Sequence, residues 1–285
     1  MLGYVKCNLC GADDCRGVLI ASGKNIVACK RCGFIYVNPQ DKSDGLLSFD
    51  KESFLLSMIN HYNAQSSVRV RNCHERLDQI EKTIKKGKIL DVGCSAGFFL
   101  REAERRGWAV LGIEPSERCS SYARKEFSLE VSSGEYNHEN VKKNNLRDLN
   151  AITFWGVLGH MEDPNKSIRL THEILRPGGI IAIETPNIES PIFKLFKQRW
   201  YHLSIANQNY FFSQSSLKGM IEKNGFKIIT LETVARLYDD HWIDRRACPL
   251  AGQSRIMRFV TSLINSYVLQ LLNTGDHLFA IGIKT

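Results

Sequence analysis

The sequence predicts an α/β fold: a parallel sheet with helices on both faces, preceded by a small cysteine-rich module. Three observations carry that expectation. From Lys88 onward, short apolar runs alternate with amphipathic stretches, as in strands joined by crossover helices. The run "ILDVGCSAGFFL", Ile89 to Leu100, is an apolar strand passing through a glycine-rich turn into a helix. At the front of the chain, Cys7-x2-Cys10 is followed by Cys29-x2-Cys32.

Three regions follow in order. Residues 1–45 are rich in cysteine and glycine, with short β-like runs such as "GVLIAS" and "NIVAC". Residues 46–86 read as a helical lead-in, ending in the charged amphipathic stretch "SVRVRNCHERLDQIEKTIKK". Residues 87–285 carry the sheet, with strands expected at Ile89–Val92, Ala109–Ile113, Leu129–Ser132, Ala151–Val157, Ile180–Glu184, Phe226–Val234 and His277–Ile283. "LRPGG" before Ile180 reads as a helix stop and turn, and Ser213 as the cap of a helix ending at Asn224–Gly225. A helical insertion is expected at about 240–275. Within it, residues 254–272 place apolar side chains from Ile256 to Leu272 at helical spacing. Its polar face is mostly Ser, Asn and Gln, which favours burial against the domain or a partner chain, as in a homodimer, over a membrane surface.

Composition narrows the function classes. The chain has 285 residues, 43% hydrophobic and 24% charged, within the globular range. No apolar run is long enough for a membrane span. "MLGYVKCNLCG" lacks the apolar segment of a secretory signal, so a cytoplasmic location is expected. There the nine cysteines should stay reduced or bind metal. A formal charge of +8 suits an anionic partner, although the basic residues are scattered.

Two CxxC knuckles separated by 18 residues match the ligand pattern of a tetrahedral Zn²⁺ site. Gly11 and Gly33 follow the second cysteines and permit tight turns. With Cys7, Cys10, Cys29 and Cys32 as ligands, no position stays open for water, so the expected zinc is structural.

The glycine-rich turn reads Gly93-Cys94-Ser95-Ala96-Gly97-Phe98. A dinucleotide fingerprint needs a middle glycine where Ser95 stands and a third glycine one place beyond Phe98, which weakens a pyrophosphate reading. Glu114 closes the next strand, 23 residues after Asp91, where an acid that grips ribose hydroxyls belongs. Gly93 and Gly97 are expected to let the backbone approach that ligand. A ribose without a pyrophosphate suits S-adenosylmethionine.

The stretches "ILDVGCSAGFFL", "VLGIEPS", "NAITFWGVLGHMEDP" and "ILRPGGIIAIETPN" together resemble class I S-adenosylmethionine-dependent methyltransferases, a Rossmann-like family. "CNLCG…CKRCGFIYVNPQ" and "WYHLSIANQNYFFSQSSLKGMI" resemble a bacterial branch with an N-terminal zinc ribbon, often tied to sugar and polysaccharide pathways. The resemblance implies that Asp91, Gly93 and Gly97 line the methionine end of the cofactor, with Cys94, Ser95 and Ala96 in the same turn. It implies that Glu114 holds the ribose diol, Pro115 abuts the adenine, Glu135 and Tyr136 flank the ring, and Trp155 and Gly156 floor the pocket. Where the family commonly has Glu before His160, this chain has Gly159, and where an Asp often opens the fourth strand it has Asn150.

Methyl transfer needs in-line alignment of nucleophile, methyl and sulfur, and an oxygen or nitrogen nucleophile needs a base. His160 and His202 are the candidates, because histidine titrates near neutral pH. Cys94 is expected to pack rather than react. The acceptor expected is a small molecule, a sugar or a nucleotide- or lipid-linked glycan. Two alternatives stay open: an RNA methyltransferase gripping nucleic acid through the ribbon, and a non-catalytic interaction protein on this fold.

Overall fold

A computed structural model describes residues 2–41, 55–56, 59, 66–205, 207–236 and 275–285. The expected helix at 254–272 lies outside the described residues, as does the expected insertion up to residue 274.

The front of the chain forms five short strands: β1 (Leu2–Gly3), β2 (Cys15–Ala21), β3 (Lys24–Cys29), β4 (Ile35–Val37) and β5 (Gln40–Asp41). Helix α1 (Ser66–Thr83) follows. The sheet domain then runs β6 (Lys88–Val92), α2 (Phe98–Arg105), β7 (Ala109–Glu114), α3 (Glu117–Phe127), β8 (Val131–Ser133), α4 (His138–Lys143), β9 (Leu149–Trp155), α5 (Pro164–Ile174) and β10 (Leu175–Pro186). After it come α6 (Pro191–Phe196), β11 (Tyr210–Phe211), α7 (Gln214–Lys223), β12 (Phe226–Val234) and β13 (His277–Lys284).

Seven strands form the main sheet in the order β12-β13-β10-β9-β6-β7-β8. β10, β9, β6, β7 and β8 are parallel, and β13 is antiparallel to both neighbours. Strand order reverses beside β6, so the crevice at the C-terminal ends of β6, β7 and β9 is the expected ligand position. The sheet is buried on both faces because its strands are apolar at nearly every position. Leu90, Val92, Ile152, Phe154, Ile181 and Ile183 face one core. Ile89, Ala151, Ile180, Ala182, Phe279 and Ile281 face the other, with Leu77 and Ile80 of α1 and Phe99 and Leu100 of α2.

Local chemistry sets the element ends. Ser116 caps α3 by accepting from the Cys119 N–H at 3.2 Å. Asp163 caps α5, with Pro164 in its first turn. Ser213 and Ser216 form a reciprocal capping box on α7. The apolar run places the end of the domain's fourth strand at Val157, but the strand ends at Trp155: Gly156 turns at φ 75°, and Leu158–His160 form a 3₁₀ turn. "LRPGG" belongs to β10 as a bulge, its register shifting between Leu175 and Ile180.

The cysteine module is not a separate bead. β11 pairs with β4, giving a four-stranded sheet β11-β4-β3-β2. Cys7, Cys29, Phe34 and Tyr36 share one continuous core with Phe212, Leu217 and Met220. Asn8 donates to Asp163 Oδ1 at 2.7 Å and accepts from the Asn165 N–H at 2.9 Å, and Lys223 donates to the Leu9 carbonyl at 2.7 Å.

Candidate cofactor and metal sites

The turn after β6 is tied to β7 by three backbone donors. Gly93 and Cys94 donate to the Ile113 carbonyl at 2.8 and 3.3 Å. Ser95, at φ 51°, donates its N–H to Glu114 Oε2 at 2.8 Å. Glu114 Oε1 accepts from the Ser116 N–H at 2.9 Å. The acid at the end of β7 is therefore buried and held by the turn before it and the helix after it. Pro115 lies half-buried between Glu114 and Ser116.

Beneath the turn, Asp91 is buried and accepts from Thr153 Oγ1 at 2.6 Å. Burial pushes its pKa up to about 7, against the opposing pull of Thr153 and Arg76.

The three pocket glycines differ in role. A Cβ on Gly93 (φ 70°) would lie 2.7 Å from Val157 Cγ1, and one on Gly97 (φ 81°) 2.7 Å from Leu129 Cδ1 and 2.9 Å from Ala123 Cβ. The protein's own packing is thus one reason for glycine at both positions. Gly156 (φ 75°) faces open space, where a Cβ would meet nothing within 4 Å, so the free backbone approach is there. Ala96 is buried against Phe98, and Cys94 packs into the core beside Gly112, where burial holds its thiol well above the usual range. Both offer only backbone to a ligand.

Trp155 stacks on Phe279 at 6.3 Å and meets Phe99 edge-on at 5.1 Å. The Arg76 guanidinium sits over its ring at 4.7 Å while bonding Glu184 through two nitrogens at 3.1 and 2.9 Å. Arg236 also pairs with Glu184. Arg76, Arg236, Glu75, Gln79, Thr233 and Phe279 line part of a cavity of about 370 Å³. The indole Nε1 of Trp155 is buried with no hydrogen-bond partner among the described residues. Sequence reasoning missed Arg76 and Glu184; the single acid in the apolar run of β10 was the available signal.

Glu135 is exposed, and its carbonyl accepts from Asn140 at 2.8 Å. Tyr136, expected beside a ring ligand, points inward instead. Its hydroxyl meets Thr171 Oγ1 at 3.0 Å and its ring packs edge-on to Phe154 at 5.8 Å.

His202 is buried and His160 half-buried. His160 lies in the 3₁₀ turn, and burial pushes its pKa down to about 4, with Lys24 and His202 adding to the effect against an opposing bond from the Asn207 backbone. At that value it is neutral at neutral pH. Gly159 has a packing reason: a Cβ would meet the Tyr210 carbonyl oxygen at 2.7 Å, because the Asn209 N–H reaches the Gly159 carbonyl at 2.9 Å. His202 lies with Nε2 3.4 Å from Asp276 Oδ2. Its ring meets that of Trp200 at 4.7 Å and that of His277 at 5.2 Å. Asp276 Oδ1 accepts from Ser190 Oγ and from Trp200 Nε1, each at 3.0 Å.

The four front cysteines converge, with their sulfurs all within 4.8 Å of one another. Cys7–Cys32 and Cys10–Cys29 are 3.5 Å apart, near the separation of about 3.8 Å that tetrahedral Zn–S bonds require. The two knuckles repeat one geometry. Gly11 N–H donates to Cys7 O and Cys7 N–H to Ala12 O; Gly33 N–H donates to Cys29 O and Cys29 N–H to Phe34 O. Gly11 and Gly33 sit at φ 76° and 75°. Burial opposes ionisation of Cys10, but the Ala12 backbone and the neighbouring thiols outweigh it and bring its pKa down to about 7. The donor set fits Zn²⁺, which Cys7, Cys10, Cys29 and Cys32 would hold as a closed structural ion.

Sheet order, antiparallel β13 and the Glu114-anchored turn define a Rossmann-like fold of the methyltransferase class. The chain belongs to the methyltransferase domain family, whose model matches residues 63–231. A curated ubiquinone biosynthesis O-methyltransferase of Alkalilimnicola ehrlichii is 29% identical over 118 residues, covering 39% of this chain and 48% of that protein. One from Leptothrix cholodnii is 28% identical over 127 residues, covering 42% and 54%. The chain thus spans about half the length of the curated relatives it matches. Among solved structures, the Haemonchus contortus phosphoethanolamine N-methyltransferase 2 complex with S-adenosyl-L-methionine aligns with TM-score 0.58 at 15% identity, covering 88% of this chain and 62% of that one. That likeness is one of fold.

Proposed function

We propose that this chain transfers a methyl group from S-adenosylmethionine to a small-molecule acceptor, a sugar or a nucleotide- or lipid-linked glycan. The observation that carries the cofactor part is the Ser95–Glu114–Ser116 clamp, which fixes a carboxylate at the C-terminal end of β7 in a family of methyltransferase domains. In this reading Glu114 takes the ribose hydroxyls and Gly156 lets the cofactor lie on bare backbone. Trp155 forms the floor, held by Arg76 and Phe279, and the Asp91 layer supports the methionine end. The sulfonium cofactor supplies the electrophilic methyl group. The chain's own contribution is alignment and exclusion of water. The zinc in the ribbon is structural.

The acceptor class rests on the front-module resemblance. A phenolic oxygen is the second reading, supported by the curated relatives, which are named for O-methylation in ubiquinone biosynthesis. Cytoplasmic location belongs to the same proposal, supported by the four unpaired thiols of a metal-type cluster. No described helix is long and apolar enough to cross a membrane.

Calorimetric titration of the zinc-loaded protein with S-adenosylmethionine and S-adenosylhomocysteine, beside Glu114→Ala, tests the cofactor site. Micromolar binding that disappears in the variant is expected, and no binding by folded wild type would overturn the proposal. Methyl transfer to sugar nucleotides, lipid-linked sugars and catechols then separates the acceptor readings.

A further inference from the structure

At the ligand side of the sheet, away from Glu114, three buried side chains converge. His202, Asp276 and His277 each offer one ligand atom, all within 4.8 Å of one another. His277 opens β13, opposite Pro186 of β10 and Val234 of β12. Asp276 precedes it, and its backbone carbonyl accepts from the Asn187 N–H at 2.8 Å. His202 comes from a separate 3₁₀ turn, Tyr201–Leu203. Two distant chain segments therefore place two imidazoles and one carboxylate at a single point.

We propose that His202, Asp276 and His277 form a second metal site, holding one divalent transition ion of the Zn²⁺ class through one nitrogen of each imidazole and one carboxylate oxygen.

The carboxylate is built for it. Oδ1 accepts from Ser190 and Trp200, which fixes its orientation and leaves Oδ2 turned toward His202. Outer hydrogen bonds of this kind are what hold metal ligands in place. The His202 ring is 5% exposed. Neither of its nitrogens has a well-formed hydrogen bond among the described residues, and its nearest acidic oxygen is at 3.4 Å. Among the described residues no lysine or arginine pairs with Asp276. A divalent cation bound at Oδ2 would offset the charge of this buried carboxylate.

Two histidines and one carboxylate leave at least one position open, as in catalytic rather than structural sites. An oxygen donor, water or a hydroxyl, belongs there. This site stands apart from the cysteine ribbon in ligand chemistry, and its existence does not depend on the proposed methyl transfer.

Cobalt distinguishes the two sites. Co²⁺ titrated into full-length protein that retains its ribbon zinc should give weak visible d–d bands without thiolate charge-transfer absorption. His277→Gln and His202→Gln should weaken that binding at least tenfold, and Ser190→Ala should weaken it by about tenfold through loss of orientation. Wild type that binds no Co²⁺ beyond the ribbon, or binds it only with thiolate bands, overturns the proposal whether or not the variants fold. Folded variants that bind Co²⁺ like wild type do the same.

Discussion

The backbone N–H of Ser95 meets the carboxylate of Glu114 at 2.8 Å, so the turn after β6 and the end of β7 form one unit. The contact is a charge-assisted hydrogen bond with a buried acceptor, and a second one to Ser116 closes the other oxygen. Glu114→Ala removes both and leaves two N–H groups to find other partners. Expected are a loss of about 1.5–3 kcal/mol in unfolding free energy and S-adenosylmethionine binding weakened by at least about tenfold. Glu114→Gln keeps an acceptor oxygen and should retain more stability than binding. Denaturant unfolding and calorimetry on both variants check this, and unchanged affinity in Glu114→Ala would remove the acid from the cofactor site.

Gly159 has its place because the Asn207–Tyr210 segment lies on it. A methyl group there would contact the Tyr210 carbonyl at 2.7 Å, and backbone moves with difficulty. Gly159→Ala is therefore expected to cost about 1–3 kcal/mol, and Gly159→Glu, the residue common in the family, no less. Because Tyr210 and Phe211 pair with β4, the damage should reach the ribbon sheet. Hydrogen exchange at Ile35–Val37 should quicken in the variant; wild-type protection there would separate the two elements.

The cysteine module and the sheet domain share a core, so an ion held by the four cysteines would be tied to global stability. Chelation or Cys32→Ser should unfold the knuckles and uncover Phe34 and Tyr36, which pack with Phe212, Leu217 and Met220. A loss of at least about 3 kcal/mol, roughly 6–12 °C in melting temperature for a domain of this size, is expected. A chelated protein melting like the zinc-loaded one would show that the four cysteines do not carry a structural ion.

The paired CxxC motifs, the parallel sheet implied by alternating apolar runs, and Glu114 at a strand end were legible because each rests on spacing along the chain. Spacing says where a residue sits and little about what surrounds it. Gly93 and Gly97 read as ligand glycines, yet Val157, Leu129 and Ala123 occupy the space their side chains would fill. Tyr136 reads as a ring neighbour, yet Thr171, 35 residues on, takes its hydroxyl. The Arg76–Glu184 pair joins residues 108 apart, and His202 meets Asp276 only because β13 returns beside β10. Such contacts are made by tertiary packing and have no local signature.

Asp91 and His160 give the stability curve opposing slopes, and single variants separate them. Asp91 has a folded pKa of about 7 against 3.8 as its ordinary value. Between those pH values the folded state holds a proton that the unfolded state has lost, so this group's stabilisation falls as pH rises toward 7. His160 has a folded pKa of about 4 against 6.5. There the unfolded state binds the extra proton, so this group's stabilisation is complete above 6.5 and is lost as pH falls toward 4. Each slope is at most about 1.4 kcal/mol per pH unit, and between pH 4 and 6.5 they largely cancel. Asp91→Asn removes the first slope, and stability should then fall more steeply on acidification than in wild type. His160→Gln removes the second, and the fall should become shallower. Urea midpoints from pH 4 to 7.5 for the three proteins give the comparison. Parallel curves would mean that neither group changes its protonation on folding. Because His160 is already neutral near pH 7, His160→Gln should also leave the acidic limb of any methyl-transfer pH profile where it is. A shifted limb would return His160 to the reaction.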